Sequence, residues 1–305
     1  MTTPSPDAPG ALNWFLILAL GVVWGTAFLS VGLALEGYGP LWVAAGRTAL
    51  AAAILSAGGT MLGQGLGQLA SRRAWGFVTV IGAGTIAVPF LLLSWGLQHV
   101  PTAFGGVAMG AVPLLILPLV YLFSPEEGIG PRRIAGVALG FVGLALLVGP
   151  GAFESGGEPA ILARFACVGA AACYAIGSIL TRRAPPMPPI ALAASTMLVA
   201  SILLVPLALA VEGPPPLAFD RPTAAMIYSA ALPTALASFL RVRVITTAGS
   251  VFMSLVSYMV PVWAVIFGIT LMGEDLPPTL FKALALILAG IALSQWRSLA
   301  SLLRR

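Results

Sequence analysis

The sequence has very few charged residues for its length. Of its 305 residues, 8% are Asp, Glu, Lys or Arg, whereas 59% are hydrophobic. A soluble globular domain carries about 25% charged residues, so this composition argues against a single soluble core. The basic residues form isolated doublets between apolar segments rather than a stripe, which argues against a nucleic-acid partner. The expected surroundings of the chain are therefore the lipid bilayer.

Cysteine and histidine are almost absent. Cys167 and Cys173 are six residues apart in one apolar segment, where a helix turns them to different faces, so we predict small buried residues rather than a disulfide or a metal pair. His99, the one histidine, falls at the end of an apolar segment, where a solvated helix end is the simpler interpretation. With no G-x-S-x-G motif either, we expect no catalytic residue, no metal and no cofactor, which makes an intramembrane enzyme the weaker alternative.

Long apolar segments dominate the chain. A helix needs about 20 apolar residues to cross a bilayer, and charged, Gly and Pro clusters divide the sequence into ten segments of about that length. Regular β-alternation is absent from them, so a barrel is not expected. The sequence predicts an all-α integral membrane protein with ten transmembrane helices, at 14–35, 40–62, 75–97, 102–123, 132–149, 160–181, 190–211, 223–240, 249–272 and 279–296.

The loop arginines, with the exception of Arg221, fall in alternate connections. Cytoplasmic loops collect positive charge, so this pattern predicts that both termini are cytoplasmic. The remaining connections carry most of the acidic residues. The arginines that define the cytoplasmic side are Arg72, Arg73, Arg132, Arg133, Arg182, Arg183, Arg241, Arg243, Arg297, Arg304 and Arg305.

Two parts of the sequence are similar at an offset of 148 residues. Pro113 and Pro261 differ by 148 (261 − 113), and so do Glu126 and Glu274 (274 − 126). We therefore predict two five-helix halves, at 13–150 and 151–297, between a disordered N-terminal tail (1–12) and a basic C-terminal tail (298–305). Because five is odd, the halves would cross the membrane in opposite directions, as inverted repeats. Such halves can exchange conformations, so a transporter is the leading hypothesis, and a purely structural membrane subunit is a weaker one.

Several motifs resemble those of one transporter family. They are WGTAF at 24–28, the glycine-rich GVALGFVGLALL at 136–147 and SYMVPVW at 257–263, together with the two proline–glutamate pairs. The chain thus resembles the EamA family of the drug/metabolite transporter (DMT) superfamily, and within it the amino-acid exporters of the YddG type. The resemblance implies alternating access around a central cavity lined by helices one, three, four, six, eight and nine. This sequence departs from the family pattern at Tyr174, next to Cys173, where many relatives have a tryptophan.

Four prolines lie inside apolar segments. A proline in a helix removes the hydrogen bond to the carbonyl four residues earlier, and such a carbonyl could accept from the ammonium group of a cargo. The alternative is that each proline only kinks its helix. The helix breaks are Pro89, Pro113, Pro233 and Pro261, and the carbonyls they would free belong to Thr85, Met109, Ser229 and Ser257.

Aromatic and hydroxyl side chains near the middle of the segments are the other candidates for contact with a small-molecule substrate. Aromatic rings can stack on an apolar group or face a cation. Helix packing and hydrogen bonds within a helix are the alternative for each of them. With Thr85 and Met109, the substrate-binding candidates are Trp24, Phe28, Phe90, Ser94, Tyr174, Ser178, Ser257 and Tyr258.

No acidic residue lies in the middle of a segment. Arg47, Arg164 and Lys282 are within a couple of turns of the predicted outer ends, where snorkelling to the interface is the simpler interpretation. We therefore expect a cargo without net charge, most simply a zwitterionic amino acid that is exported, and no carboxylate proton relay. Export of other neutral metabolites, such as nucleosides or drugs, is the alternative.

Two features leave the assembly of the helices open. GVALG at 136–140 is a small-xxx-small face, which could pack within one protomer or form a homodimer contact. The acidic pairs 126–127 and 274–275 precede helices that begin near proline, so we expect them to complement helix N-termini.

Overall fold

All regular structure in the described part of the chain is helical. The structure is a computed structural model that describes residues 10–69, 71–123, 130–149, 157–216 and 218–296. The helices of the first part are α1 (Ala11–Leu35), α2 (Pro40–Met61), α3 (Arg72–Gly82), α4 (Val88–Gly96), α5 (Thr102–Met109), α6 (Val112–Phe123) and α7 (Pro131–Val148). Those of the second part are α8 (Gly157–Arg183), α9 (Pro189–Val211), α10 (Arg221–Ala230), α11 (Ala237–Met253), α12 (Val256–Met272) and α13 (Pro278–Ser294).

These helices are long enough and apolar enough to form a membrane protein. Among the described residues, eight helical segments could each cross a bilayer, and three of them combine shorter helices: α5 with α6, α3 with α4, and α10 with α11. The helices α12 and α13 are apolar but shorter, at 17 residues each. The prediction of an all-α membrane fold is therefore confirmed.

Two π-helical segments interrupt two of these combined helices. The first, π1 (Ala83–Ala87), joins α3 to α4, and the second, π2 (Ala231–Leu236), joins α10 to α11. Their first residues are 148 positions apart (231 − 83). Pro89 follows π1 as the second residue of α4, and Pro233 lies inside π2. Because proline has no N–H to donate, the backbone near it can adopt the wider π turn.

The other two predicted breaks differ from each other. The helix is interrupted at Gly110 and Ala111, and α6 then begins with Pro113 as its second residue. Pro261, in contrast, lies inside α12, and the interruption in that region falls at Ser254–Leu255. The predicted break at Pro261 is therefore wrong, since one lost N–H does not prevent the helical dihedral angles from continuing. A Cβ on Gly110 would come within 3.1 Å of the Pro261 ring, so the two regions pack closely.

Some predicted boundaries are also wrong. We expected a loop containing Arg241 and Arg243, but helical structure continues through both and turns only at Gly249, where φ is 87°. No glycine or proline between them stops the helix, and glycine adopts this positive φ without strain. The helix α1 starts at Ala11, within the predicted tail 1–12. Residues 1–9, the tail 298–305 and the acidic pair 126–127 lie outside the described residues.

Two helix pairs that are about 148 residues apart pack against each other: α2 against α9, and α7 against α13. The contact between α7 and α13 is made by glycines. A Cβ added to Gly290 would lie 2.6 Å from the carbonyl oxygen of Gly136 and from the amide nitrogen of Gly140. The GVALG face therefore packs within the protomer, where the missing side chains let two backbones touch.

Hydrogen bonds between distant parts of the chain cluster at one end of the bundle. We call it the acidic end and define it by loops 36–39, 97–101, 212–220 and 273–277. The Glu212 carboxylate accepts from the amides of Leu41 and Trp42, at 2.9 and 3.0 Å, and so caps α2. Glu274 likewise accepts from the amides of Thr102 and Ala103, and so caps α5. A carboxylate at a helix N-terminus is favourable because the free amides carry a partial positive charge.

The prediction for Glu274 was right about the chemistry and wrong about the helix, because the residue caps α5 rather than the following α13. Only the folded chain brings the end of α12 beside the start of α5. Asp220, at the same end, caps α10 through the amide of Thr223 at 3.0 Å. This hydrogen bond to the Thr223 amide, with one to its hydroxyl, lowers the pKa of Asp220 below its ordinary value.

Candidate functional site

Arg47 extends from α2 into the interior of the bundle. It lies seven residues after Pro40, the first residue of α2, which is about 10 Å along the helix axis. Its Nε donates a hydrogen bond to Oγ1 of Thr234, at 2.8 Å. Its Cζ lies 4.2 Å from the centre of the Phe90 ring. Arg47 is therefore held by a hydroxyl group and by a cation–π contact from two other helical segments.

The two partners of Arg47 are themselves fixed. Thr234 is buried in π2, and its hydroxyl donates to the carbonyl oxygen of Ser229, five residues earlier, at 2.8 Å. Of the two interpretations left open for Pro233, this contact favours the kink in which a neighbouring group, here the Thr234 hydroxyl, satisfies the carbonyl. Phe90 is only 5% exposed, and it follows Pro89 in α4.

Two aromatic side chains from α8 and α1 complete the surroundings. Tyr174 is half-buried and packs against both large hydrophobic clusters, the second of which contains Phe90. Trp24 donates from its indole nitrogen to the carbonyl oxygen of Pro233, at 2.9 Å. We use the name Arg47 cluster for Arg47, Phe90, Tyr174 and Thr234. The cluster joins residues from both parts of the chain and includes two of the predicted candidates, Phe90 and Tyr174.

The expectation that Arg47 snorkels to an interface is wrong. The buried stripe of α2 contains Ala44, Ala51 and Leu55, and a residue three positions after Ala44 and four before Ala51 shares their face. This helical spacing was the signal in the sequence that could have placed Arg47 inside. It was outweighed by the proximity of Arg47 to the end of the segment.

The other two cations of the apolar segments are placed differently. Arg164 is buried, and its Nη1 donates to the carbonyl oxygen of Gly149, at 2.9 Å, just after the end of α7. An arginine at a helix C-terminus complements the free carbonyls there. Lys282 is exposed on α13. Of the three cations, Arg47 is the one seen in contact with a predicted substrate-binding candidate, Phe90.

Three of the predicted candidates have packing roles. Phe28 lies against Gly105 and Gly106, where an added Cβ would come within 3.1 and 3.3 Å of its ring. The hydroxyl of Thr85 donates to the carbonyl oxygen of Ile81 at 2.8 Å, within the same helical segment. The hydroxyl of Ser178 likewise donates to the carbonyl oxygen of Tyr174, at 3.0 Å.

The remaining candidates are divided between α4 and the two interrupted regions. Ser94 is buried in α4, and Met109 is half-buried at the end of α5. Ser257 and Tyr258 are half-buried in the first turn of α12, where the Ser257 amide donates to the carbonyl oxygen of Ser254. The hydroxyl of Tyr258 is buried and has no hydrogen-bond partner among the described residues.

Two polar features were not predicted from the sequence. The hydroxyls of Thr26 and Tyr228 are 2.8 Å apart and join α1 to α10. A cleft of about 400 Å³ lies where α2 ends, lined by Ser56, Thr60, Gly63 and residues 65 to 68. No predicted candidate lines that cleft and it contains no charged side chain, so we do not assign the site to it. The described residues contain no group of three or more His, Cys, Asp or Glu side chains that could hold a metal.

The sequence matches a known family twice. The pattern of the EamA-like transporter family, which belongs to the DMT superfamily, matches residues 12–149 and again 161–296. A solved crystal structure aligns with 99% of this chain and 100% of its own chain, with a TM-score of 0.68 and 22% identity. That likeness shows a shared fold.

Two curated proteins are also similar. A probable terminal-alkyne amino-acid exporter of Streptantibioticus cattleyicolor is 26% identical over 293 residues, which cover 94% of each protein. A WAT1-related chloroplastic protein of Arabidopsis thaliana is 31% identical over 175 residues, which cover 56% of this chain and 41% of that protein. The protein is thus a multi-pass membrane transporter rather than an enzyme, and it belongs to the EamA-like transporter family.

Proposed function

We propose that the protein exports small neutral or zwitterionic metabolites, foremost amino acids, by alternating access. The observation that carries this proposal is the double match to a transporter family over nearly the whole chain, at an offset close to 148 residues. The amino-acid exporter of S. cattleyicolor, which aligns over 94% of both proteins, supports the class of cargo. The Arg47 cluster lies where the two matched segments meet, which is where inverted-repeat transporters place their cargo.

The proposal includes ten transmembrane helices in two inverted five-helix repeats, with both termini in the cytoplasm of a bacterial or equivalent cell. It is supported by the offset between π1 and π2 and by the placement of the loop arginines. The α12 and α13 helices, at 17 residues each, are at the lower limit of length for a spanning helix. The acidic end would then face outwards.

Hydrogen bonds between the two matched segments at the acidic end favour closure there. Besides the caps formed by Glu212 and Glu274, the indole of Trp42 donates to the carbonyl oxygen of Gly213, at 2.8 Å. The hydroxyl of Tyr38 donates to the carbonyl oxygen of Pro216, at 2.9 Å. In this proposal, opening to the outside has to separate these pairs, and the caps then alternate between a bonded and a solvated state.

Counterflow in proteoliposomes tests the proposed function. Vesicles containing the purified protein would be loaded with unlabelled neutral amino acids, nucleosides or sugars, with cationic and phosphorylated compounds as controls. We expect exchange of labelled neutral amino acids above that of protein-free vesicles. Exchange restricted to nucleosides would identify nucleosides, rather than amino acids, as the cargo. Exchange restricted to cations or phosphates would contradict the proposal.

A further inference from the structure

The position of Arg47 calls for a physical explanation. A charged side chain inside a membrane protein is costly unless it is paired, so such residues commonly mark a functional site. Arg47 could have avoided part of this cost by extending towards the nearby end of α2. Instead, its guanidinium group contacts Thr234 and Phe90, whose side chains are each only 5% exposed.

The contacts of Arg47 use only part of its guanidinium group. Nε is bound to Thr234, and one face of the plane lies over Phe90. The terminal nitrogens Nη1 and Nη2 make no hydrogen bond to the residues that the structure describes, and Arg47 as a whole is half-buried. These two nitrogens form a planar fork whose spacing matches the two oxygens of a carboxylate.

The fork is held in one orientation. Arg47 donates to Thr234, and Thr234 in turn donates to the carbonyl oxygen of Ser229. This chain fixes which lone pair of the threonine oxygen faces the arginine, so the guanidinium group cannot rotate freely. A pre-oriented group loses less conformational entropy when it binds a ligand.

No acidic residue of the protein neutralises Arg47 within the described part of the chain. The ion pair described there joins Arg221 to Glu36, at 3.8 Å, at the acidic end. The carboxylates of Glu212 and Glu274 are occupied by the amides of α2 and α5. The described residues thus supply no negative charge to Arg47, and a bound molecule could supply one.

We propose that Arg47 binds the carboxylate group of the transported molecule through Nη1 and Nη2. The apolar part of that molecule would lie against Phe90 and Tyr174, the aromatic members of the Arg47 cluster. This inference rests on the proposed transport function and narrows it, because it requires a carboxylate in the cargo. A zwitterionic amino acid meets this requirement and has no net charge, whereas a nucleoside or a sugar does not meet it.

The first test measures binding and needs no mutation. A bound ligand raises the melting temperature of a protein according to its concentration relative to Kd. We would determine Kd from melting curves of the detergent-purified full chain with phenylalanine, phenylalaninamide and 3-phenylpropionate. We expect the two carboxylates to bind at least about tenfold more tightly than the amide, the loss typical of a charge-assisted hydrogen bond.

The second test changes the arginine. Arg47→Gln should abolish the preference for phenylalanine over its amide, and Arg47→Lys should retain part of it, because lysine keeps the charge but loses the fork. Lys282→Gln is the matched control, since it removes one positive charge from an exposed position. The control should keep the preference of the unchanged protein.

The possible outcomes separate the inference from the proposed function. Equal binding of acid and amide by the unchanged protein, no binding of either carboxylate, or an unchanged preference in Arg47→Gln would each overturn the role of Arg47. Equally tight binding of inorganic phosphate would overturn it too, because the site would then be a general anion site. Tight carboxylate binding without counterflow would support the role of Arg47 and contradict the transport function.

Discussion

The packed pairs α7–α13 and α2–α9 both join helices from related positions of the two matched segments, but different residue types make the two contacts. In each pair, the second helix follows the first by about 148 residues. The α7–α13 pair is in backbone contact through Gly136, Gly140 and Gly290. The α2–α9 pair packs through alanines and buries the polar residues Thr48, Ser195 and Thr196, while Arg47 extends from it towards α4 and π2.

This difference indicates that the two helix pairs have different roles. A glycine contact leaves no room for adjustment, so α7 and α13 behave as a fixed edge of the bundle. The α2–α9 pair, in contrast, places a charged group beside residues from both matched segments. We infer that α7 and α13 serve the scaffold, whereas the site depends on a position at which the two segments differ, since Arg47 has Ser195 as its counterpart 148 residues later.

The largest expected effect tests the fixed edge. Gly290→Ala places a methyl group 2.6 Å from backbone atoms of α7, so the two helices must move apart. We expect a loss of about 1–3 kcal/mol of stability, the usual cost of overpacking. Gly76→Ala is the matched control, because an added Cβ there has no neighbour within 4 Å. Melting temperatures in detergent would measure both, and equal values would contradict the glycine contact.

The next effect concerns the acidic end. Glu274→Ala leaves the amides of Thr102 and Ala103 without their carboxylate, and we expect it to cost about 1–2 kcal/mol of stability. Glu36→Ala is the control, since its ion pair with Arg221 is long and largely exposed. Thermal unfolding would compare the two variants. If Glu36→Ala were the more damaging, the cap on α5 would not hold that end together.

The sequence was sufficient to predict the class of fold. Hydropathy and segment length predicted membrane helices, and the proline and glutamate pairs located the 148-residue offset that π1 and π2 also follow. These signals are local or periodic, so they do not depend on which helices are neighbours. The exact helix ends were less predictable, because arginines such as Arg241 are good helix formers and do not stop a helix.

The site was only partly predictable. Phe90 and Tyr174 were candidates, but the direction of Arg47 was not, because its partner Thr234 is 187 residues away in the sequence. Glu274 and the α5 amides are similarly separated, by 172 residues for Thr102. The inward direction of Arg47 also changes what the charged residues imply about the cargo. A cargo without net charge still fits, but only if it brings a carboxylate.

A smaller effect tests how Arg47 is oriented. Thr234→Val keeps the shape of the side chain and removes the hydroxyl that links Arg47 to Ser229. We expect carboxylate binding to weaken by roughly tenfold, which corresponds to about 1.4 kcal/mol, because the fork is no longer fixed.

Thr48→Val is a suitable control for this change. Thr48 is buried on the same helix as Arg47, but its hydroxyl donates only to carbonyls of its own helix, those of Ala44 and Ala45. Titration of phenylalanine against both variants would compare them. A similar loss in both would mean that hydroxyl removal, rather than the orientation of Arg47, weakens binding.

The smallest effect is expected at Ser195, which occupies the position 148 residues after Arg47. Its hydroxyl is buried and donates to the carbonyl oxygen of Leu192 in its own helix, at 3.1 Å, an oxygen that also accepts from Thr196. Ser195→Ala should therefore change stability by less than about 0.5 kcal/mol and leave carboxylate binding unchanged. Melting curves with and without phenylalanine would measure both quantities. A loss of binding comparable to that of Arg47→Gln would mean that Ser195 also belongs to the site. The inference that the site depends on the difference between these two related positions would then be wrong.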